Sequence, residues 1–300
     1  MTHNRLCADA DAWKWSAVTY KLPKLPLRLR NQLLLTLATR FSLANASDER
    51  IAYGYDASPG QFPFMASVQV KDTPSADWRH ACGGTLVAKN MVLTAAHCLF
   101  DPGSGNLRKA LAVVMSGRSL QDPNADVLTV TRTLRPKGYN NSMWSTGTPP
   151  WGDLALLVLN DTSSQAPVAV ANNMPADGGI SLIGQYLTAV GWGRVEDGTS
   201  PAKLQYTNLT ISPLVKCGLT DPDTAIGMMC TTAAPVANGQ YPSTCPGDSG
   251  GPFLAIALQV GVSSFGSAGS CGSISYNGMT FLPYFYSKFI QPNIDKYGSK

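Results

Sequence analysis

Short runs of β-prone residues, broken every few positions by turn chemistry, constrain this chain more than any other feature. The runs are Phe64–Val70, Thr85–Leu93, Leu111–Ser116, Val127–Leu134, Leu154–Leu159, Leu187–Trp192, Gln205–Ile211, Phe253–Leu258 and Gln259–Phe265. Asp101-Pro102-Gly103-Ser104-Gly105, Thr148-Pro149-Pro150 and Asp177-Gly178-Gly179 separate some of them. In such clusters glycine supplies positive φ, proline fixes φ and aspartate bonds the backbone ahead of it. Helical periodicity is scarce before the last twenty residues. There Phe285, Phe289 and Ile290 fit one helical face, and Pro292 is placed to cut or kink such a helix. Many short strands without an internal repeat predict an all-β sandwich or barrel. At 300 residues, the chain can bury a sizeable core as one large domain or two intimate halves.

The formal net charge of +4 is concentrated at the start. Residues 1–50 hold eight Lys/Arg and four Asp/Glu, which leaves fifteen of each sign in residues 51–300. The main body therefore carries no bulk bias toward nucleic acid or acidic membranes. Histidine occurs only at 3, 80 and 97, too sparsely for a zinc cluster, and no metal or cofactor motif is present. His80, two residues before Cys82, reads as structural.

Leu33–Leu43 is mostly apolar, with Arg28 and Arg30 before it and Ala44-Asn45-Ala46 after it. Basic residues, a short apolar core and an A-x-A site together describe a secretory signal peptide. Eleven residues are too few to span a bilayer, which needs about 20. The alternatives are an Arg-rich transit peptide or a misassigned chain start. Cys7 falls within this leader, and six cysteines follow: Cys82, Cys98, Cys217, Cys230, Cys245 and Cys271. An even number suits disulfides and an oxidising compartment, and six cysteines permit fifteen pairings. Asn140, Asn160 and Asn208 each begin an Asn-x-Ser/Thr triplet, a glycan acceptor in an exported eukaryotic chain.

Three motifs bear the chemistry. Cys245-Pro246-Gly247-Asp248-Ser249-Gly250-Gly251-Pro252 sets one serine among glycines, which tolerate strained backbone and close approach. A serine hydroxyl is a poor nucleophile unless a base and an orienting carboxylate join it. Thr94-Ala95-Ala96-His97-Cys98 offers the base, and Gly152-Asp153-Leu154-Ala155-Leu156-Leu157 offers the carboxylate. Each motif alone suits a core histidine, a strand-end aspartate or a surface turn. Together, in the order His, Asp, Ser, with Gly191-Trp192-Gly193 between the last two, they resemble the trypsin/chymotrypsin family of serine endopeptidases. The resemblance runs from Ile51 to about residue 295.

That resemblance implies two six-stranded antiparallel β-barrels, a cleft between them and a short C-terminal helix. It divides the chain into a leader (1–46), an activation stub (47–50), a first barrel (51–170) and a second barrel with the helix (171–300). It pairs Cys82 with Cys98, Cys217 with Cys230 and Cys245 with Cys271. Ser249 becomes the nucleophile, His97 the proton carrier and Asp153 its orienting partner, with the N–H groups of Gly247 and Ser249 facing the oxyanion. A trypsin-like activator would cut after Arg50, and the new Ile51 ammonium would pair with Asp248. Ser243, Thr244, Ser264, Phe265, Gly266 and Gly278 would form the substrate pocket. Ser243 at its floor is neutral, and glycine on both walls leaves an open slot that favours Phe, Tyr, Leu or Met. An elastase-like or broad preference is the alternative within the enzyme class, and a catalytically silent binding homologue the alternative outside it. The implied enzyme is exported and monomeric, acts on protein or peptide substrates, is open to protein inhibitors and needs no cofactor, nucleic acid or membrane.

Overall fold

The computed structural model describes residues 51–299, apart from 72, 74, 116–118, 222–224, 237–238 and 268. The leader, Cys7, the stub and Arg50 lie outside the described residues.

The first barrel is built from β2 (Met65–Val70), β3 (Arg79–Ala88), β4 (Met91–Thr94), β5 (Leu111–Met115), β6 (Asp126–Leu134) and β7 (Ala155–Leu159). These six close in the order β2-β3-β4-β7-β6-β5. The second barrel uses β9 (Tyr186–Gly191), β10 (Gln205–Ser212), β11 (Met228–Thr232), β12 (Pro252–Ala255), β13 (Leu258–Gly266) and β14 (Tyr276–Phe281). It closes because β9 pairs with both β10 and β12. Closure removes the free strand edges that a sheet of this size would otherwise expose.

Each barrel carries a piece of chain from the far end of the molecule. The short β1 (Tyr55–Asp56) pairs with β10 of the second barrel. The C-terminal segment, helical from Leu282 to Tyr297, packs Leu282, Phe285 and Ile290 into the core of the first. That segment widens to a π-helix over Tyr286–Ile290 before resuming as α-helix at Gln291. Pro292 accounts for the change, because it offers no N–H to the preceding turn. β8 (Ala169–Val170), between the barrels in sequence, runs parallel to β13.

One expected strand proves to be a hairpin, and one expected boundary between strands moves. Thr85–Leu93 turns at Lys89-Asn90, where the Asn90 side chain donates to the Tyr297 carbonyl at 3.0 Å. The break expected between Leu258 and Gln259 falls at Ile256, fully exposed and at φ +60°, so Leu258 opens β13. β11 and β14 were not legible, since Met228-Met229-Cys230 and Asn277-Gly278 lack the β-branched alternation of a strand. Both are buried in the barrel wall, so packing overrides propensity there. Asn140, Asn160 and Asn208 are all exposed.

Candidate active site

The histidine and aspartate meet at the ends of two adjacent strands of the first barrel, β4 and β7. β4 ends at Thr94 and passes into a 3-10 turn, Ala96–Leu99, that carries His97. Asp153 precedes β7 and is 1 % exposed. Its Oδ1 accepts the His97 backbone N–H at 2.9 Å, and its Oδ2 accepts His97 Nδ1–H at 2.8 Å. This double contact fixes the imidazole plane and places the proton on Nδ1, so Nε2 is left as the basic nitrogen. Ser264 Oγ donates to Asp153 Oδ2 at 2.5 Å, and Thr280 Oγ1 donates to the Asp153 carbonyl at 2.9 Å. Burial lowers the His97 pKa, but the charge and hydrogen bond of Asp153 outweigh it, and the net shift is upward.

The serine loop reaches the same place from the second barrel. Gly83 N–H donates to the Ser249 carbonyl at 2.8 Å, and Cys98 Sγ lies 3.8 Å from that oxygen. The residue next to His97 thus touches the backbone of Ser249. Gly250 has φ +82°, and a Cβ there would collide with Thr94 Oγ1 and the Gly83 carbonyl, so only glycine permits this approach. Gly247, at φ +104°, has its carbonyl held by His80 Nε2–H at 2.9 Å. His80 Nδ1 accepts from Ser67 Oγ at 2.8 Å, and burial holds the ring's pKa down at about 4. His80 is therefore a neutral strut under the loop. Among the described residues, neither the Gly247 nor the Ser249 N–H donates to an acceptor.

Asp248, beside Ser249, is buried. Its carboxylate accepts Gly193 N–H at 2.7 Å and Cys245 N–H at 2.9 Å, and burial pushes its pKa up to about 7 against those two bonds. The bridges Cys82–Cys98, Cys217–Cys230 and Cys245–Cys271 join Cα atoms 6.2, 5.8 and 5.8 Å apart. The first lies beside His97 and the third frames the serine loop. Cys82, Cys98 and His97 offer donor atoms within 4.8 Å of one another, but both sulfurs are committed to the bridge, so the group makes no metal site.

These elements coincide with a known fold. The family model described as trypsin matches residues 51–290. The chain belongs to the trypsin family. It is therefore a serine endopeptidase of the trypsin/chymotrypsin type, a hydrolase. Granzyme M of Rattus norvegicus is 33% identical over 254 residues, 78% of this chain and 86% of that protein. Trypsin delta of Drosophila melanogaster is 28% identical over 239 residues, 77% of this chain and 83% of that protein. Among solved structures, neuropsin, a serine protease expressed in the limbic system of mouse brain, matches with TM-score 0.64 and 27% identity, over 81% of this chain and 99% of its own. Human heparin binding protein matches with TM-score 0.62 and 25% identity, over 83% of this chain and 99% of its own.

Within this trypsin-family frame, Trp144 is a site neighbour that sequence reasoning missed. It sits in a 3-10 turn, Asn141–Thr146, capped by the Asn140 side chain and ended by Gly147 at φ +76°. Its ring stands edge-on to His97, with centroids 5.5 Å apart and planes at 83°. Trp144 Nε1–H donates to Tyr139 Oη at 3.3 Å, and Tyr139 Oη–H donates to Asn141 Oδ1 at 2.9 Å. An aromatic in a Ser/Thr/Gly-rich stretch between His97 and Asp153 was the available signal.

The two glycines expected to face each other do not. Gly278 does not face Gly266: a Cβ at Gly278 would run into the Phe265 ring. Asn277 takes that place, with its Oδ1 accepting from Thr244 N–H at 3.0 Å and Thr244 Oγ1 at 2.7 Å. Gly278 therefore lies against the Phe265 ring, and Asn277, not Gly278, shares a face with Gly266.

Proposed function

We propose that this chain is made as a zymogen, exported, and activated by a trypsin-like cut after Arg50, and that it then hydrolyses protein substrates through Ser249, His97 and Asp153. Ser249 Oγ attacks the scissile carbonyl as His97 Nε2 takes its proton, and the imidazolium later gives that proton to the leaving amine. Asp153 orients the ring and stabilises its charged form. The N–H groups of Gly247 and Ser249 meet the oxyanion, each worth about 3–4 kcal/mol in the transition state. The observation that carries this reading is the double contact of Asp153 with His97, which leaves Nε2 free to act as a base.

Activation is supported by the chain's own strain and charge. Ile51 is fully buried at φ +48°, a costly conformation for a β-branched residue. Cutting the Arg50–Ile51 bond abolishes that φ and creates an ammonium. Asp248, a buried carboxyl held only by two neutral dipoles, is the group that gains from such a cation. Tyr53, at φ +60°, fits because it rests on Gly272, where a Cβ would meet its ring. Export is supported by the three bridges. No helix among the described residues is long and apolar enough to cross a membrane.

A fluorophosphonate probe tests this reading against a silent binding homologue. The form beginning at Ile51 should carry the adduct on Ser249 by peptide mapping, with His97→Ala unlabelled and the uncut chain labelled far more slowly. An unlabelled cut form would support the binding homologue instead.

A further inference from the structure

The triplet Asn208-Leu209-Thr210 lies on β10, outside the catalytic machinery. Strand residues two apart face the same side. Thr207, Leu209 and Ile211 are buried in the second barrel, so Tyr206, Asn208 and Thr210 share its outer face. On the neighbouring strand β9, Thr188 stands opposite Asn208 and Tyr186 opposite Thr210. Cross-strand partners face the same way, and a diagonal neighbour stays within reach of an aromatic ring.

This face is aromatic and open around Asn208. Asn208 itself is exposed, and Tyr186, diagonal to it, is 75 % exposed. Tyr206, two residues before Asn208, already packs on Tyr55 and Phe62, with ring centroids 5.6 and 5.7 Å away. The Tyr186 ring has no comparable aromatic neighbour among the described residues, and only a threonine opposite it. Thr188 Oγ1–H donates to Asn208 Oδ1 at 2.9 Å, while Asn208 Nδ2 makes no hydrogen bond among the described residues. An uncommitted amide nitrogen, a threonine two residues on and a bare aromatic ring beside them make up an acceptor site with a resting place for what is attached.

We propose that Asn208 is N-glycosylated and that its first N-acetylglucosamine lies against the Tyr186 ring. This rests on the export reading above, because the donor, an oligosaccharide carried on a lipid pyrophosphate, is met in the secretory pathway. Nδ2 bonds to C1 of the first sugar, the C1–O bond to the pyrophosphate breaks, and one amide hydrogen leaves as a proton. Nothing is oxidised or reduced. The product keeps Oδ1 and one N–H, so the bond from Thr188 survives. The C–H groups of the sugar meet the negative face of the ring, and the ring's apolar body is covered while its hydroxyl stays in water.

The test uses the full chain produced in insect cells with a mannosidase inhibitor. Peptide mapping after peptide-N-glycosidase F in heavy-oxygen water should find residue 208 deamidated and carrying one heavy oxygen. Protein trimmed by endoglycosidase H to the first sugar should melt about 2–4 °C above Asn208→Gln. In a Tyr186→Ala background most of that difference should vanish, as a double-mutant cycle requires of groups in contact. A secreted chain unmodified at residue 208 overturns the proposal and leaves export standing. A chain retained in the cell and unmodified removes both. A melting difference that Tyr186→Ala leaves unchanged overturns the resting place on the ring.

Discussion

Asp153 and Asp248 are equally buried, each 1 % exposed, yet they live in opposite electrostatic circumstances. Asp153 accepts from a backbone N–H, an imidazole N–H and the Ser264 hydroxyl, and one of those partners can become a cation. Asp248 accepts from two backbone N–H groups, and burial pushes its pKa to about 7. His97 and Asp153 on the first barrel are therefore already paired. The serine loop on the second barrel holds a carboxyl that has no cationic partner among the described residues. On the activation proposed above, the difference separates the His97–Asp153 geometry, fixed by folding, from the serine-loop geometry, completed by a covalent event.

The largest effect that would sharpen this contrast belongs to Asp153→Asn. It leaves the ring in place but favours the wrong tautomer, so kcat should fall on the order of 10,000-fold. A loss of less than tenfold, measured with active-site-titrated enzyme, would break the comparison on its first side.

The next effect concerns Asp248 and pH. A carboxyl whose folded pKa lies above its unfolded value contributes stability that is full below about 4 and lost as pH rises through about 7. A rise to about 7 corresponds to about 4 kcal/mol lost by the uncut chain above that pH. His80 works with the opposite sign in the same window: its contribution is present above about 6.5 and lost as pH falls through about 4. Comparing cut with uncut chain cancels His80. In the cut form the Ile51 ammonium keeps Asp248 ionised, so cut minus uncut Tm should grow between pH 5 and 8, by on the order of 10 °C at most. A difference that stays constant over that range, or one that persists in Asp248→Asn, would break the second side.

The smallest effect is that of Trp144→Ala. Its ring touches the imidazole edge without holding the proton, so KM should rise a few-fold while kcat and Tm stay near wild type. A fall in kcat comparable to that of Asp153→Asn would make Trp144 part of the catalytic machinery.

Legibility in the sequence follows what each residue depends on. Most of the first barrel's strands, though not the turn inside Thr85–Leu93, and the His97 and Asp153 motifs were readable because their signals are local: β-prone runs, small neighbours and an apolar run after the aspartate. β11 and β14 were not, since their strand character comes from burial between neighbours. Gly278 was misplaced for a related reason. Which of Asn277 and Gly278 shares a face with Gly266 is a question of register, and the irregularity at Ser263–Phe265 that sets it leaves no local trace. Trp144 was overlooked because its role arises from where a turn folds back.

The central claim is most directly tested by the pH dependence of Ser249 labelling by a fluorophosphonate in the chain cut after Arg50. The rate should rise along a single ionisation with its midpoint above 6.5, the ordinary histidine value, because Asp153 holds the proton on His97. A rate that is flat between pH 5 and 8, or an adduct on any residue other than Ser249, would contradict it.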